Sequence, residues 1–327
     1  MKNTNKTEEE SVGKEPVHIN DALRNAIEEL QCVANRKDGI RGINSGFRDI
    51  DKLTSGWQNG NLIVIGGGPA IGKTSFILSL IINMAVKNMT PIPTALFSLE
   101  MNCTQLSNCF IANICDISLS ELRSGRLESY QWEHLDSKIK DLYDKPIFID
   151  DTPGLSVSEL CNKVHRLVHD YGIKCLVVDY LQLMNAKGMT FSNREQEISL
   201  IVRSLKNLAK KLNISVILVS QLSRAQESRQ GAEGKRPQLA DLRDSGAIEQ
   251  DADVVCFVHR PEYYKITEDE RGNSLIGLAD IIIAKQRCGD IGEVRLKFIK
   301  ETMKFMNLDD KISPPSDLNW NSNMIPY

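Results

Sequence analysis

A chain of 327 residues, 41% hydrophobic and 25% charged, has the composition of an ordinary globular protein and the length to bury a sizeable core as one large domain or two smaller ones. Its net charge of −3 excludes bulk basicity as the means of holding a nucleic acid, so any such contact must be a local patch. No apolar run approaches the ~20 residues of a membrane span, no signal peptide is expected, and the eight cysteines form no C-x-x-C pair, which suits buried thiols in a reducing cytoplasm.

Residues 1–16 are polar and charged, and are expected to be a disordered tail. Between 17 and 39 the character changes. Ala22, Leu23, Ala26, Ile27, Leu30, Val33 and Ala34 recur at helical spacing and predict a helix over 20–38, capped by Asn20 or Asp21 and ended by Gly39. Its apolar stripe needs a partner, either its own domain or a neighbouring subunit. Glycines and turn residues then punctuate the chain up to Asn61.

Leu62 to Ile65 has the length of a buried strand. Gly67, Gly68, Pro69, Ala70, Ile71, Gly72, Lys73 and Thr74 follow, fitting G-x-x-x-x-G-K-[ST] at every fixed position, and a helix is predicted over 74–88. Strand, glycine loop and helix are the context a phosphate-binding loop requires, with backbone N–H groups and a helix N-terminus converging on phosphate oxygens. Lys73 would reach the β/γ-phosphates of a nucleoside triphosphate, and Thr74 would ligate Mg²⁺.

Strands are predicted at 94–99, 146–149, 174–178, 215–220, 253–259, 279–284 and 293–299, and helices at 104–113, 129–143, 157–171 and 192–212. This alternation implies an α/β fold, a mostly parallel sheet covered on both faces, with the last strands as an antiparallel edge extension. Residues 307–327, rich in Asn, Asp and Pro, are expected to be a mobile tail.

Ligands of open parallel sheets bind beyond the C-terminal ends of the strands. Those ends carry Glu100, Asp179 and Gln221 beside the phosphate loop. Asp179, after an apolar strand, matches a Walker B aspartate that holds Mg²⁺ directly or through water. Glu100 is the candidate general base for an attacking water. Gln221 could sense the γ-phosphate and inform the segment that follows. That segment, 223–252, carries Arg224, Arg229, Lys235, Arg236 and Arg243 against Glu227, Glu233, Asp241 and Asp244. Nucleic-acid contact and a solvated loop are equally good readings of it. Lys285 and Arg287 end a strand and are expected at the functional end of the sheet, where they could pair with phosphates.

Together these motifs resemble the C-terminal ATPase domain of the DnaB family of replicative DNA helicases, hexameric superfamily 4 motors with a RecA-like P-loop core. The resemblance spans about 17–306. It is carried by Gly46-Phe47-Arg48-Asp49-Ile50-Asp51 with Thr54-Ser55-Gly56, the phosphate loop, Phe97-Ser98-Leu99-Glu100-Met101, Leu122-Arg123-Ser124-Gly125 and Ile149-Asp150-Asp151-Thr152-Pro153-Gly154. Val178-Asp179-Tyr180-Leu181-Gln182-Leu183, Val219-Ser220-Gln221-Leu222-Ser223-Arg224, the run DLRDSGAIEQDADV over 241–254, and Ala284-Lys285-Gln286-Arg287 complete it.

The resemblance implies a 5′-to-3′ DNA helicase driven by ATP and Mg²⁺, a bacterial cytoplasmic homohexamer that joins the nucleoid when active. Its partners would be single-stranded and forked DNA and a helicase loader. It implies ATP contacts from the phosphate loop through Ser75, and metal contacts from Thr74 and Asp179. Catalytic roles fall to Lys73, Glu100, Gln221, Lys285 and Arg287, the last as an arginine finger acting on the adjacent subunit's ATP. Strand contacts fall to Arg243, Asp244 and Gly246. The expected organisation is a tail over 1–16, a linker helix over 17–39 that docks on the next subunit, an ATPase domain over 40–306 and a tail over 307–327. The family's N-terminal helical domain has no counterpart in these residues, which weighs against primase contact. Asp244 stands where the family commonly has Glu, and Cys288 and Asp290 where it usually has Asn and Pro. The rival readings are a DNA-binding or loading ATPase without unwinding, and a recombinase-like filament protein.

Overall fold

The computed structural model describes residues 16–36, 39–223, 225–229 and 231–311. The chain divides between Arg41 and Gly42 into two compact units. In the first, α1 (Ile19–Ala34) starts one residue earlier than its sequence suggests, because the His18 ring nitrogen accepts from the Asn20 N–H at 3.2 Å. Arg41 grips Glu29 through two parallel bonds of 2.9 and 2.8 Å. Leu23, Ile27 and Leu30 share one stripe, each more than half exposed. Residues 37 and 38, and the tail over 1–15, lie outside the described residues.

The second unit is built on a nine-stranded sheet. After the short α2 (Arg48–Thr54) come β1 (Leu62–Gly67), α3 (Lys73–Ile82), β2 (Thr94–Ser98), α4 (Cys103–Cys115), α5 (Leu119–Ser124), α6 (Ser129–Lys138), β3 (Ile147–Asp150), α7 (Val157–Tyr171) and β4 (Cys175–Asp179). Then follow α8 (Arg194–Leu212), β5 (Ser215–Gln221), α9 (Ala225–Ser228), α10 (Gly231–Gly234), α11 (Gly246–Asp251), β6 (Val254–His259), β7 (Leu278–Gln286), β8 (Gly292–Ile299) and β9 (Lys304–Met306). The order across the sheet is β3-β2-β4-β5-β1-β6-β7-β8-β9. The first six are parallel and the last three antiparallel, as the alternation predicts. β1, β2 and β4 are buried along their whole length, because helices cover both faces.

Helix ends follow local chemistry. Capping boxes at Asn102, Ser118 and Ser156 start α4, α5 and α7, and Asn193 caps α8. The helix predicted over 74–88 is α-helical only to Ile82 and continues as a π turn over Asn83–Lys87. Residues 307–310, expected in the mobile tail, are bonded onto α2: Arg48 N–H donates to Asn307 Oδ1 at 3.1 Å, and the Arg48 guanidinium pairs with Asp309. Residues 312–327 lie outside the described residues. The eight cysteines are free, and burial pushes the Cys175 and Cys256 thiols up to about 12. No described helix is long and apolar enough to cross a membrane.

Phe76 fixes α3, and with it the phosphate loop, to the sheet. Its fully buried ring stacks on Phe47 at 5.5 Å and meets the edge of Phe305 at 5.3 Å. Phe76→Ala is expected to cost about 3–5 kcal/mol in urea unfolding. A loss under about 1 kcal/mol would mean that this contact does not anchor the helix.

Candidate nucleotide-binding site

The sheet order β2-β4-β5-β1 sets four neighbouring strand ends side by side. Gly67 is in register with Gln221, and Ser98 with Asp179. Glu100, Asp179, Gln221 and the loop from Gly67 to Thr74 therefore meet at one edge, as read from the sequence. The loop's shape needs Gly72, whose φ of 104° only glycine adopts readily. A Cβ on Gly67 would lie 2.8 Å from Ile71 Cγ2 and 3.1 Å from Lys73 Cγ, so a side chain there would force these packed side chains to shift. Ile71 and Ser75 turn inward and are buried, while Pro69 and Ala70 are exposed. A glycine loop ahead of a helix can turn its backbone N–H groups to a phosphate.

Lys73 Nζ donates to the carbonyls of Gly67 at 2.9 Å and Gly68 at 2.7 Å. Burial lowers its pKa to about 8, although the charges of Asp179 and Glu100 oppose the shift. Thr74 Oγ1 donates to Asp179 Oδ2 at 2.8 Å. Asp179 is only 7% exposed, and burial raises its pKa against the opposing pull of Thr74 and Lys73. A buried carboxylate touching a hydroxyl, beside a phosphate loop, fits Mg²⁺, which takes one or two protein oxygens and completes its shell with waters and substrate phosphates. Glu100 is exposed at the mouth of the site.

The state of Lys73 gives a signed pH effect. Burial holds its pKa down at about 8; an incoming triphosphate favours the ammonium and moves the pKa back up. Binding above pH 8 should therefore take up protons, and affinity should fall as pH rises from 8 toward 10. Calorimetric titration with a non-hydrolysable triphosphate at pH 8.5, in two buffers of different ionisation enthalpy, reads this directly. Equal heats in the two buffers would contradict it.

Two contributors were given no role by the sequence, although Gln182 lies in the run from Val178 to Leu183. Gln182 clamps Gln221: its Oε1 accepts from Gln221 N at 3.2 Å, while its Nε2 donates to Ser220 Oγ at 3.0 Å and to Gln221 O at 3.3 Å. Tyr264, just beyond β6, brings its hydroxyl within 3.4 Å of where a Cβ on Gly68 would stand. Gln226 Nε2 lies 3.4 Å from the same hydroxyl.

Lys285 and Arg287 are not part of this group, which corrects the expectation that they sit at the sheet's functional end. β7 runs antiparallel to β6, so its end returns to the opposite edge. There Arg287 N–H donates to Asp253 O at 2.9 Å, and its guanidinium lies 3.4 Å from Asp253 Oδ1. Asp253 in turn accepts from Leu62 N, at the start of β1, at 2.7 Å. The phosphate loop begins at the far end of that six-residue strand, roughly 17 Å away at about 3.3 Å per residue. Arg287 cannot reach its own phosphate loop.

In the segment 223–252, Arg229 pairs with Asp241 at 2.5 Å and Arg236 with Glu293, so both serve internal ion pairs. The backbone of Arg243 and Asp244 runs in a 3₁₀ turn over Leu239–Ser245, while their side chains, and Arg224, lie outside what is described. Gly246 is exposed at the start of α11.

Residues 42–307 match the DnaB-like helicase C-terminal domain. The chain is 42% identical over 303 residues to the replicative DNA helicase DnaC of Bacillus subtilis, covering 91% of this chain and 64% of that protein. It is 42% identical over 292 residues to the replicative DNA helicase DnaB of Geobacillus stearothermophilus, covering 89% and 62%. Thus it spans somewhat under two thirds of the length of these curated relatives. Among solved structures, one described as an ATPase domain superposes with a TM-score of 0.80 at 34% identity, covering 90% of this chain and all of that one. A DnaB-like replicative helicase, solved to describe its interactions with primase, gives 0.77 at 34% identity, covering 90% and 68%. The RecA-like sheet, its phosphate loop and the match across 42–307 together establish that the chain belongs to the DnaB-like helicase C-terminal domain family.

Proposed function

We propose that this chain is the motor of an ATP-dependent DNA helicase, a homohexameric ring that moves 5′-to-3′ along single-stranded DNA and unwinds the duplex ahead of it. ATP lies between subunits. Lys73 leaves the Gly67 and Gly68 carbonyls for the β/γ-phosphates, and Thr74 and Asp179 hold Mg²⁺, which neutralises phosphate charge when bound. Glu100 accepts the proton of the water that attacks the γ-phosphorus, as the bond to the bridging oxygen breaks and ADP departs. Arg287 of the neighbouring subunit stabilises the charge on the transferring group, with Lys285 beside it. Gln221, held by Gln182, passes the γ-phosphate's loss to the segment carrying Arg243, Asp244 and Gly246, which contacts the strand. The helix α1, with its exposed stripe, docks on the next subunit of the ring.

The observation that carries the reading is the division of charge across the sheet: phosphate loop, Thr74 and Asp179 at one edge, Lys285 and Arg287 at the other. A heterologous interface that closes into a ring brings opposite edges of successive subunits together. The test is a forked duplex with a 5′ tail and ATP. Strand separation that needs the tail is expected. Hydrolysis stimulated by single-stranded DNA without separation would favour a loading ATPase.

A further inference from the structure

Lys285 and Arg287 do not project freely in the single chain; both hold the C-terminal end of α11. Lys285 Nζ donates to the carbonyls of Glu249 and Gln250, and to that of Ala252 at 2.8 Å. Arg287 donates to the Gln250 carbonyl at 2.6 Å. The last carbonyls of a helix have no partners within it and carry partial negative charge, so two cations are a fitting cap. Just beyond, Asp253 is tied to Leu62 N and, at 2.5 Å, to Lys206 Nζ, which fixes the end of this segment to β1 and α8. The other end of α11 is Gly246, exposed, where a Cβ would lie 3.9 Å from Glu195 Oε1 at the start of α8. Arg203 bonds Asp251 at 3.3 Å further along. Thus α11 runs alongside α8, from the residue assigned to the DNA strand to the two cations assigned to the neighbour's ATP.

From this contact pattern we propose that α11 is the strut that couples the strand to the finger: engagement of DNA at Gly246 shifts the helix, and its terminal carbonyls release Lys285 and Arg287 toward the adjacent nucleotide. The proposal rests on the helicase reading above and adds the path by which DNA stimulates hydrolysis. A six-residue helix of about 1.5 Å per residue spans roughly 9 Å, short enough to move as one piece. Glu249 and Gln250 are exposed and cap the two cations through backbone carbonyls, and the Glu249 carboxylate adds a favourable charge near Lys285. A glycine pair and an alanine pair remove that charge alike, so they differ in the stiffness of the backbone.

The test compares Glu249→Gly/Gln250→Gly with Glu249→Ala/Gln250→Ala in the full chain. Glycine frees the backbone and alanine keeps it helical. Expected for the glycine pair are unchanged hydrolysis without DNA, unchanged affinity for a labelled oligo-dT, and at least about a fivefold loss of DNA stimulation, the low end of ordinary allosteric coupling. The alanine pair should keep wild-type stimulation. The single Gln250→Gly carries the same comparison if the double variant fails to fold. Equal stimulation in glycine and alanine variants, whether kept or lost, overturns the strut. If the unmodified chain binds oligo-dT but is not stimulated by it, the strut fails and the motor reading survives only as a DNA-binding ATPase. If it does not bind, both readings fall.

Discussion

Lys73→Ala is expected to abolish hydrolysis while leaving the fold intact. Lys73 is the charged side chain within reach of both phosphate-loop carbonyls, and burial depresses the pKa of its ammonium. Removing a preorganised charge from a site of this kind costs about 10²–10³ in rate, and more where substrate binding is lost as well. The stability consequence has the opposite sign. A lysine whose folded pKa lies near 8, below its ordinary 10.5, destabilises the folded state wherever it must stay charged. That cost is fully present below pH 8 and fades as pH rises toward 10.5. Without nucleotide at pH 7, the variant should therefore melt no lower than the parent chain, and the stabilisation given by ATP should disappear. A large fall in melting temperature without ligand would mean that Lys73 serves the fold.

Arg287→Ala should be as damaging to turnover and harmless to ATP affinity within a chain. An arginine supplied to a phosphoryl transfer from a neighbour can be worth about 10³–10⁵ in kcat. Because Arg287 stands at the edge of the sheet opposite the phosphate loop, nucleotide affinity measured on dissociated subunits should be unchanged. Arg287→Lys should not restore the rate, since an ammonium lacks the planar fork of the guanidinium. Weakened ATP binding by isolated Arg287→Ala subunits would contradict the placement.

The near half of this site was legible in the sequence because its parts are local. A phosphate loop declares itself by glycine spacing, and Glu100, Asp179 and Gln221 each follow an apolar strand. Their convergence needed only that β2, β4, β5 and β1 be neighbours, and they are. The proposed far half was misplaced although an antiparallel edge was expected, because the sequence does not say which of the last strands is the first to reverse. β7 is antiparallel, and that reversal alone moves Lys285 and Arg287 across the sheet. Asp253 shows the same limit: its bond to Leu62 joins residues 191 apart. Gln182 and Tyr264 act through contacts that no spacing encodes. The helices α2, α5, α9, α10 and α11 are seven residues or fewer, less than two turns, and show no periodicity against the polar residues around them. β9 has three residues and forms only because β8 is there to pair with it.

The central claim is that one chain holds half a catalytic site. It is tested most directly by mixing Lys73→Ala and Arg287→Ala subunits and following ATP hydrolysis as the ratio is varied. Each variant alone should be inactive. At equal amounts, random placement around a ring puts an intact phosphate loop beside an intact finger at about a quarter of the interfaces, and activity should reappear with its maximum near that mixture. Activity that stays at zero across all ratios, in mixtures shown by mass measurement to co-assemble, would contradict a shared site.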